Sequence, residues 1–164
     1  MDEGHNFENL KAHILAMSVS DHWESAKLEW ELDHVEVLDV DEDNPPGTCP
    51  CGHFPIVEMC WIRNTANGRF TFVGNVCVKR FLGMPVDAVA DGFRRILADV
   101  EKALNAAATE FCHGQGWIND WERGFCLDTC RKRKLSGRQL DKRVQVNSQV
   151  LARLRERGDQ RRRS

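Results

Sequence analysis

No stretch of the chain approaches the roughly 18 consecutive apolar residues that a membrane-spanning helix needs, so no membrane partner is expected. The opening MDEGHNFENL is acidic and lacks an apolar core, so it is not expected to act as a secretory signal, and a cytoplasmic location is expected instead. Internal repeats are missing, which argues against a solenoid. No glycine-rich phosphate loop is present, HGQG being too short to serve as one, and no pair of carboxylates stands out as acid and base. The cysteine count is seven, and an odd number does not suit a closed disulfide framework. In a reducing compartment, cysteines are metal ligands, buried thiols or catalytic groups more often than disulfides. Bases are scarce at the start: residues 1–60 hold two, against 14 acids.

What remains is an ordinary globular composition, 41% hydrophobic and 29% charged over 164 residues, enough for one domain or a small module with an appendage. The net charge of -2 conceals a division. Residues 61–164 carry 21 bases and 11 acids, and from Arg131 onward there are 13 bases and three acids. One end resembles a polyanion and the other would attract one.

Periodicity predicts an α+β chain. Phe7, Leu10, Ile14 and Met17 have helical spacing. Residues 21–28 read as a second helix, with Asp21 and Glu24 at capping-box spacing. WELDHVEVL from Trp30 alternates as a strand with Trp30, Leu32 and His34 on one face. DVDEDNPPGT is a turn region. PIVEMCWIRN and RFTFVG read as two strands joined at TANG, a hairpin signal. NVCVKRFLG reads as a short helix with Asn75 as N-cap and Gly83 as stop. Over residues 86–112, Val89, Phe93, Leu97, Val100 and Leu104 form one apolar stripe, broken by HGQG. Ile118, Trp121, Phe125 and Leu127 mark a further helix. LSGRQL starts the last one: Ser136 is its N-cap, Gln139 completes a capping box, and Leu135 and Leu140 form a hydrophobic staple. Leu140, Val144, Asn147, Leu151 and Leu154 follow on one face, and RERGDQRRRS reads as a frayed tail. The expected organisation is an N-terminal helical segment over 1–28, a metal-binding β-rich module over 29–84, a helical region over 85–157 and a basic tail over 158–164.

Four cysteines and a histidine fall between residues 48 and 83. Zinc takes four ligands in a tetrahedron, mostly Cys sulfur and His nitrogen. A tight knuckle commonly supplies the first ligands and a helix N-terminus the last, where free N–H groups favour a thiolate. Cys49 and Cys51 stand in such a knuckle and Cys77 in the first turn of the short helix, so knuckle, hairpin and helix together predict a small treble-clef-like zinc module with flanking helices. His53 is the preferred fourth ligand. Cys60, midway along a strand, is the alternative. The Cys-x-Cys spacing is shorter than the usual Cys-x-x-Cys, and the competing reading is a set of buried thiols in a small sheet. With four protein ligands the zinc would be structural, contributing folding energy to a sheet too small to stand alone. Cys126 and Cys130 read as core fillers, and Cys112 with His113 as a poor ligand pair.

The strings CPCGH.PIVEMCWIRN…G…VGNVCVKRFLG and GWINDWERGFCLDTCRKRKLSGRQLDKRVQVN, with the strand at LEWEL, resemble an uncharacterised family of small zinc-finger-like proteins from bacteria and their phages, over residues 26–150. The resemblance implies a zinc-finger-like module followed by helices, usually carried by mobile elements. It implies no particular activity.

RKRKLSGRQLDKR, residues 131–143, packs seven bases and one acid around a helix start. Phosphates bind such places, which makes Arg131, Arg133, Lys134, Arg138, Lys142 and Arg143 candidate DNA or RNA contacts, with Trp117 and Trp121 available to stack on bases or to fill the core. The competing reading is a solvated helix face. The expected function is a zinc-stabilised nucleic-acid-binding accessory protein of a phage or mobile element. One alternative is a protein-interaction module that inhibits a host enzyme or defence complex through its acidic first third. The other is a small zinc- or thiol-dependent enzyme.

Overall fold

The structure is a computed structural model that describes residues 2–82 and 85–163, without the side chains of residues 2–5 and 162. It is α+β, and it divides into two compact units, Met1–Val86 and Asp87–Ser164. Among the described residues no helix is long and apolar enough to cross a membrane.

The first unit is built on a three-stranded antiparallel sheet of β1 (Trp30–Val37), β2 (Glu58–Asn64) and β3 (Phe70–Val73), in that spatial order. One face carries Trp30, Leu32, Val35, Cys60, Ile62 and Val73, all buried. Against it lie Leu10 and Ile14 of α1 (Asp2–Met17), and Val78 and Phe81 of α3 (Asn75–Leu82) complete the core. Deleting one of these large apolar side chains would cost about 2–5 kcal/mol, the usual range for a closed core.

The expected face of His34 is corrected by one residue. The register slips between Leu32 and His34, so Asp33 is extra: Leu32 pairs with Ile62, whereas His34 pairs with Trp61. An inserted residue inverts the alternation after it. His34 therefore stacks on Trp61 on the other face of the sheet, with its Nδ1 2.7 Å from the Asp33 carboxylate.

Two helix starts also differ from expectation. The short helix α2 (Trp23–Ala26) follows His22 and has no side-chain cap. The Glu29 carboxylate organises the turn before it instead, accepting the N–H groups of Val19 and Ser20 and the amide of Asn64. In α3, Asn75 is already helical, and the carbonyl of Gly74 receives the first bond, from Val78 N–H at 3.1 Å. The proposed stop of that helix, Gly83, lies outside the described residues.

The second unit is helical. The stretch 86–112 is not one helix but two, α4 (Val86–Ala98) and α5 (Ala106–Gly114). Asp99 turns the chain by accepting Glu101 N–H, and Asn105 caps α5 by accepting Ala108 N–H. The stripe on α4 runs through Val89, Ala90, Phe93 and Ile96, while Leu97 is 55% exposed. Steps of four residues drift about 40° each around a helix, so two in succession leave the face that a step of seven retains. Phe93, Phe111 and Trp117 pack edge-on or tilted at the centre of this unit.

A capping box that periodicity did not reveal opens α6 (Asp120–Thr129), between Asn119 and Glu122. The expected box does open α7 (Gly137–Arg163): Gln139 N–H donates to Ser136 Oγ, and Ser136 N–H to Gln139 Oε1. The buried face of α7 is Val146, Asn147 and Val150, with Leu151 and Leu154 only half-buried beside it. The residues read as a frayed tail continue as helix to Arg163. Their anchor is polar, which an apolar pattern cannot register: Arg157 lies over the Trp117 ring at 5.5 Å and donates to Gln115.

Two substitutions test this packing. A Cβ on Gly92 would stand 2.5 Å from Asn105 Oδ1 and 2.6 Å from the Ala108 Cβ. Gly92→Ala should therefore destabilise by about 1–3 kcal/mol in urea unfolding, although alanine is intrinsically the better helix former. Ser136→Ala should cost about 1 kcal/mol in the same assay, and a change near zero would mean the cap carries none of the stability of α7.

Candidate metal centre

The loop from Thr48 to Pro55 is closed at its base by a two-residue bridge, in which Gly47 and Ile56 exchange N–H to carbonyl bonds of 2.9 Å. Within it Cys49 N–H donates to the His53 carbonyl, and Gly52 N–H to the Cys49 carbonyl at 2.8 Å. Gly52 has φ +101°, a conformation that suits glycine and lets the knuckle close. From α1, the Asn9 amide holds the Cys51 carbonyl at 3.2 Å.

The hairpin then sets the third cysteine. β2 leaves the loop, β3 returns, and α3 begins one residue after β3, beyond Gly74, so Cys77 in its first turn comes back to the knuckle. The sulfurs of Cys49, Cys51 and Cys77 all lie within 4.8 Å of one another, with Cys49 and Cys77 3.6 Å apart. All three are buried, none more than 7% exposed.

Their electrostatics are those of a shared negative charge. Cys49 is pulled down to about 5, chiefly because the Cys77 thiol donates to it, with the Gly74 N–H at 3.3 Å assisting against burial. Cys77 is pushed up by the same bond, since its proton serves Cys49, and by burial. Burial likewise raises Cys51, whose sulfur nonetheless accepts the His53 N–H at 3.4 Å. Backbone donors aimed at sulfur favour the thiolate, the form that binds metal.

These three cysteines can hold a metal ion. Tetrahedral zinc with bonds of about 2.3 Å to sulfur places its ligands about 3.8 Å apart, close to the spacing of Cys49 and Cys77. His53 contributes its backbone to the knuckle, but its exposed imidazole is not among the atoms that converge. Cys60 is not among them either: it is fully buried on the core face of β2, paired across the sheet with Val35 and Val73. Asn9 and Gly74 escaped the sequence reading, because neither residue type nor spacing announces a bond to a knuckle so far along the chain.

The remaining cysteines lie in the second unit. Cys112 and Cys126 are buried and their thiols are raised by that burial, Cys126 to about 11. Cys130 donates to the Leu127 carbonyl.

The basic residues divide in two. Arg131, Arg133, Lys134 and Arg138 are exposed around the α6–α7 connection. Lys142 lies over the Trp121 ring at 5.1 Å, and Arg143 is engaged internally, donating to the Thr129 carbonyl at 2.8 Å and the Glu101 carbonyl at 3.3 Å. Trp117 is buried, whereas Trp121 is 62% exposed.

No protein family, curated protein or solved structure matches this chain.

Cys77→Ser should lower bound metal and the thermal midpoint together, as elemental analysis and a melting curve would read, because a metal gathered by this cluster would add its binding energy to folding. Unchanged stability on stripping the metal from the unsubstituted chain would refute that linkage.

Proposed function

We propose that this chain is a zinc-stabilised nucleic-acid-binding protein, with a treble-clef-like module at Cys49, Cys51 and Cys77 and a phosphate-binding surface where α6 meets α7. Three thiolates form a soft donor set that suits zinc, and the order of knuckle, hairpin and helix N-terminus supports the treble-clef reading. The motif resemblance supports a setting among phages or mobile elements.

One observation carries the nucleic-acid reading. The nine residues Arg131–Gln139 contain five bases and no acid, and all five bases are exposed. Three of them, Lys132, Arg133 and Lys134, line a cleft of about 460 Å³ together with Arg95, Lys102 and Arg143 and with two acids, Asp99 and Glu101. A surface of this kind gains affinity by releasing counterions from the nucleic-acid backbone. Exposed Trp121, with Lys142 beside it, offers an aromatic surface near that charge.

Binding of the full chain to a random oligonucleotide should weaken steeply with salt, with a log–log slope of about -0.9 per contacted phosphate on a duplex or about -0.7 on a single strand. Changing Arg131, Arg133 and Lys134 together to Glu should abolish binding while leaving metal content and the melting curve as they were. Absence of binding to both DNA and RNA at low salt would refute the proposal and favour a protein partner.

A further inference from the structure

The three converging sulfurs share a boundary with open space. Cys49, Cys51 and Cys77 all line a cleft of about 380 Å³ in the first unit. Ile56, Val57 and Val76 supply apolar wall, and the polar part includes Asn75, Arg80, Glu58 and the exposed His53, with Asn75 donating to Glu58 at 3.3 Å. A closed structural zinc site takes four protein ligands and leaves no such access, whereas a site with three protein ligands keeps its fourth position for a ligand from solution. Among the described residues only three ligand groups converge here.

We propose that the metal held by Cys49, Cys51 and Cys77 keeps its fourth position open to this cleft and takes there the sulfur of a small thiol. The inference rests on the metal reading of the preceding subsection. Softness selects the ligand class: a donor set of three sulfurs on zinc is matched by a fourth sulfur better than by a carboxylate. Three thiolates on a divalent ion leave an excess negative charge and a fourth increases it. Of the two charged residues that line the cleft, Glu58 adds to that charge and Arg80, whose guanidinium lies 5.9 Å from the Phe7 ring centroid, offsets it, so Arg80 is the one whose loss should weaken thiol binding. The volume is at the lower end of the range for small-molecule sites, adequate for a thiol of a few heavy atoms with its carbon chain against Ile56 and Val76. In the binding step the S–H bond of the thiol breaks, its proton passes to solvent, and a sulfur lone pair forms the bond to the metal. Nothing is oxidised or reduced. A thiolate held in this way stays nucleophilic, so the cleft is suited to presenting a small thiol for transfer chemistry.

The test uses the full chain loaded with cobalt(II), whose visible bands report coordination geometry and whose sulfur-to-metal charge-transfer intensity reports the number of thiolates. The probe is 2-mercaptoethanol, with cobalt content measured after desalting. The expected result is a saturable shift of the visible bands and a rise of about one third in charge-transfer intensity, as three thiolates become four. Cobalt content should not change, and the response should persist in His53→Ala. Arg80→Gln, with its cobalt content intact, should need severalfold more thiol to reach half-saturation. A bound-cobalt spectrum that ignores the thiol, or that becomes responsive only in His53→Ala, would overturn the inference by showing a site closed by protein while leaving the metal reading in place. An unaffected titration in Arg80→Gln would overturn the cleft as the binding place. Failure of cobalt to bind at all would overturn the metal reading itself.

Discussion

Thiolates repel one another, and burial away from water sharpens the repulsion. Three cysteines whose sulfurs lie within 4.8 Å of one another therefore either keep protons or gather around a cation. Without a cation the three cannot all ionise: Cys49 is drawn down, while Cys51 and Cys77 are held up. With a cation all three can ionise, and their mutual repulsion becomes attraction to a common centre. Much of the first unit serves this convergence. The bridge at Gly47 and Ile56 closes the knuckle, α1 grips it through Asn9, and the short hairpin returns α3 to it.

A sheet of three strands has one well-filled face and little apolar area beyond it, so a metal held by the three cysteines would supply cohesion that the sheet lacks. The helical unit relies on other means. Phe93, Phe111 and Trp117 form an aromatic centre. Buried polar groups are matched to backbone carbonyls, as Asn147 is to Val100 and Lys102, both at 2.8 Å. One unit is organised by a potential ion site and the other by packing and matched hydrogen bonds.

The sequence made some of this legible and not the rest, for physical reasons. Local rules were readable: the hairpin at TANG, the box at Ser136 and the knuckle with Cys77 depend on residues close in sequence or on a familiar order. Rules that depend on counting residues exactly round a helix or along a strand were less so. Asp33 inverted the face of His34, and Leu97 fell off a stripe that Ile96 kept. Long-range polar contacts were invisible: Arg143 counted as one more base in a basic run, although it binds two carbonyls of its own unit. The helical tail was misread because a cation over an indole leaves no apolar periodicity.

The extra residue at Asp33 has an effect beyond the side chain it displaces. β1 is an edge strand, and its two halves keep opposite phase. A regular pairing of the strand without the extra residue can satisfy only one half, because setting one half in phase leaves the other a residue out. Its outer margin likewise offers a broken rhythm of donors and acceptors, which an unbroken strand from another molecule cannot match along its length. A single misfit residue thus makes the sheet harder to misalign and less inviting to chains that would extend it.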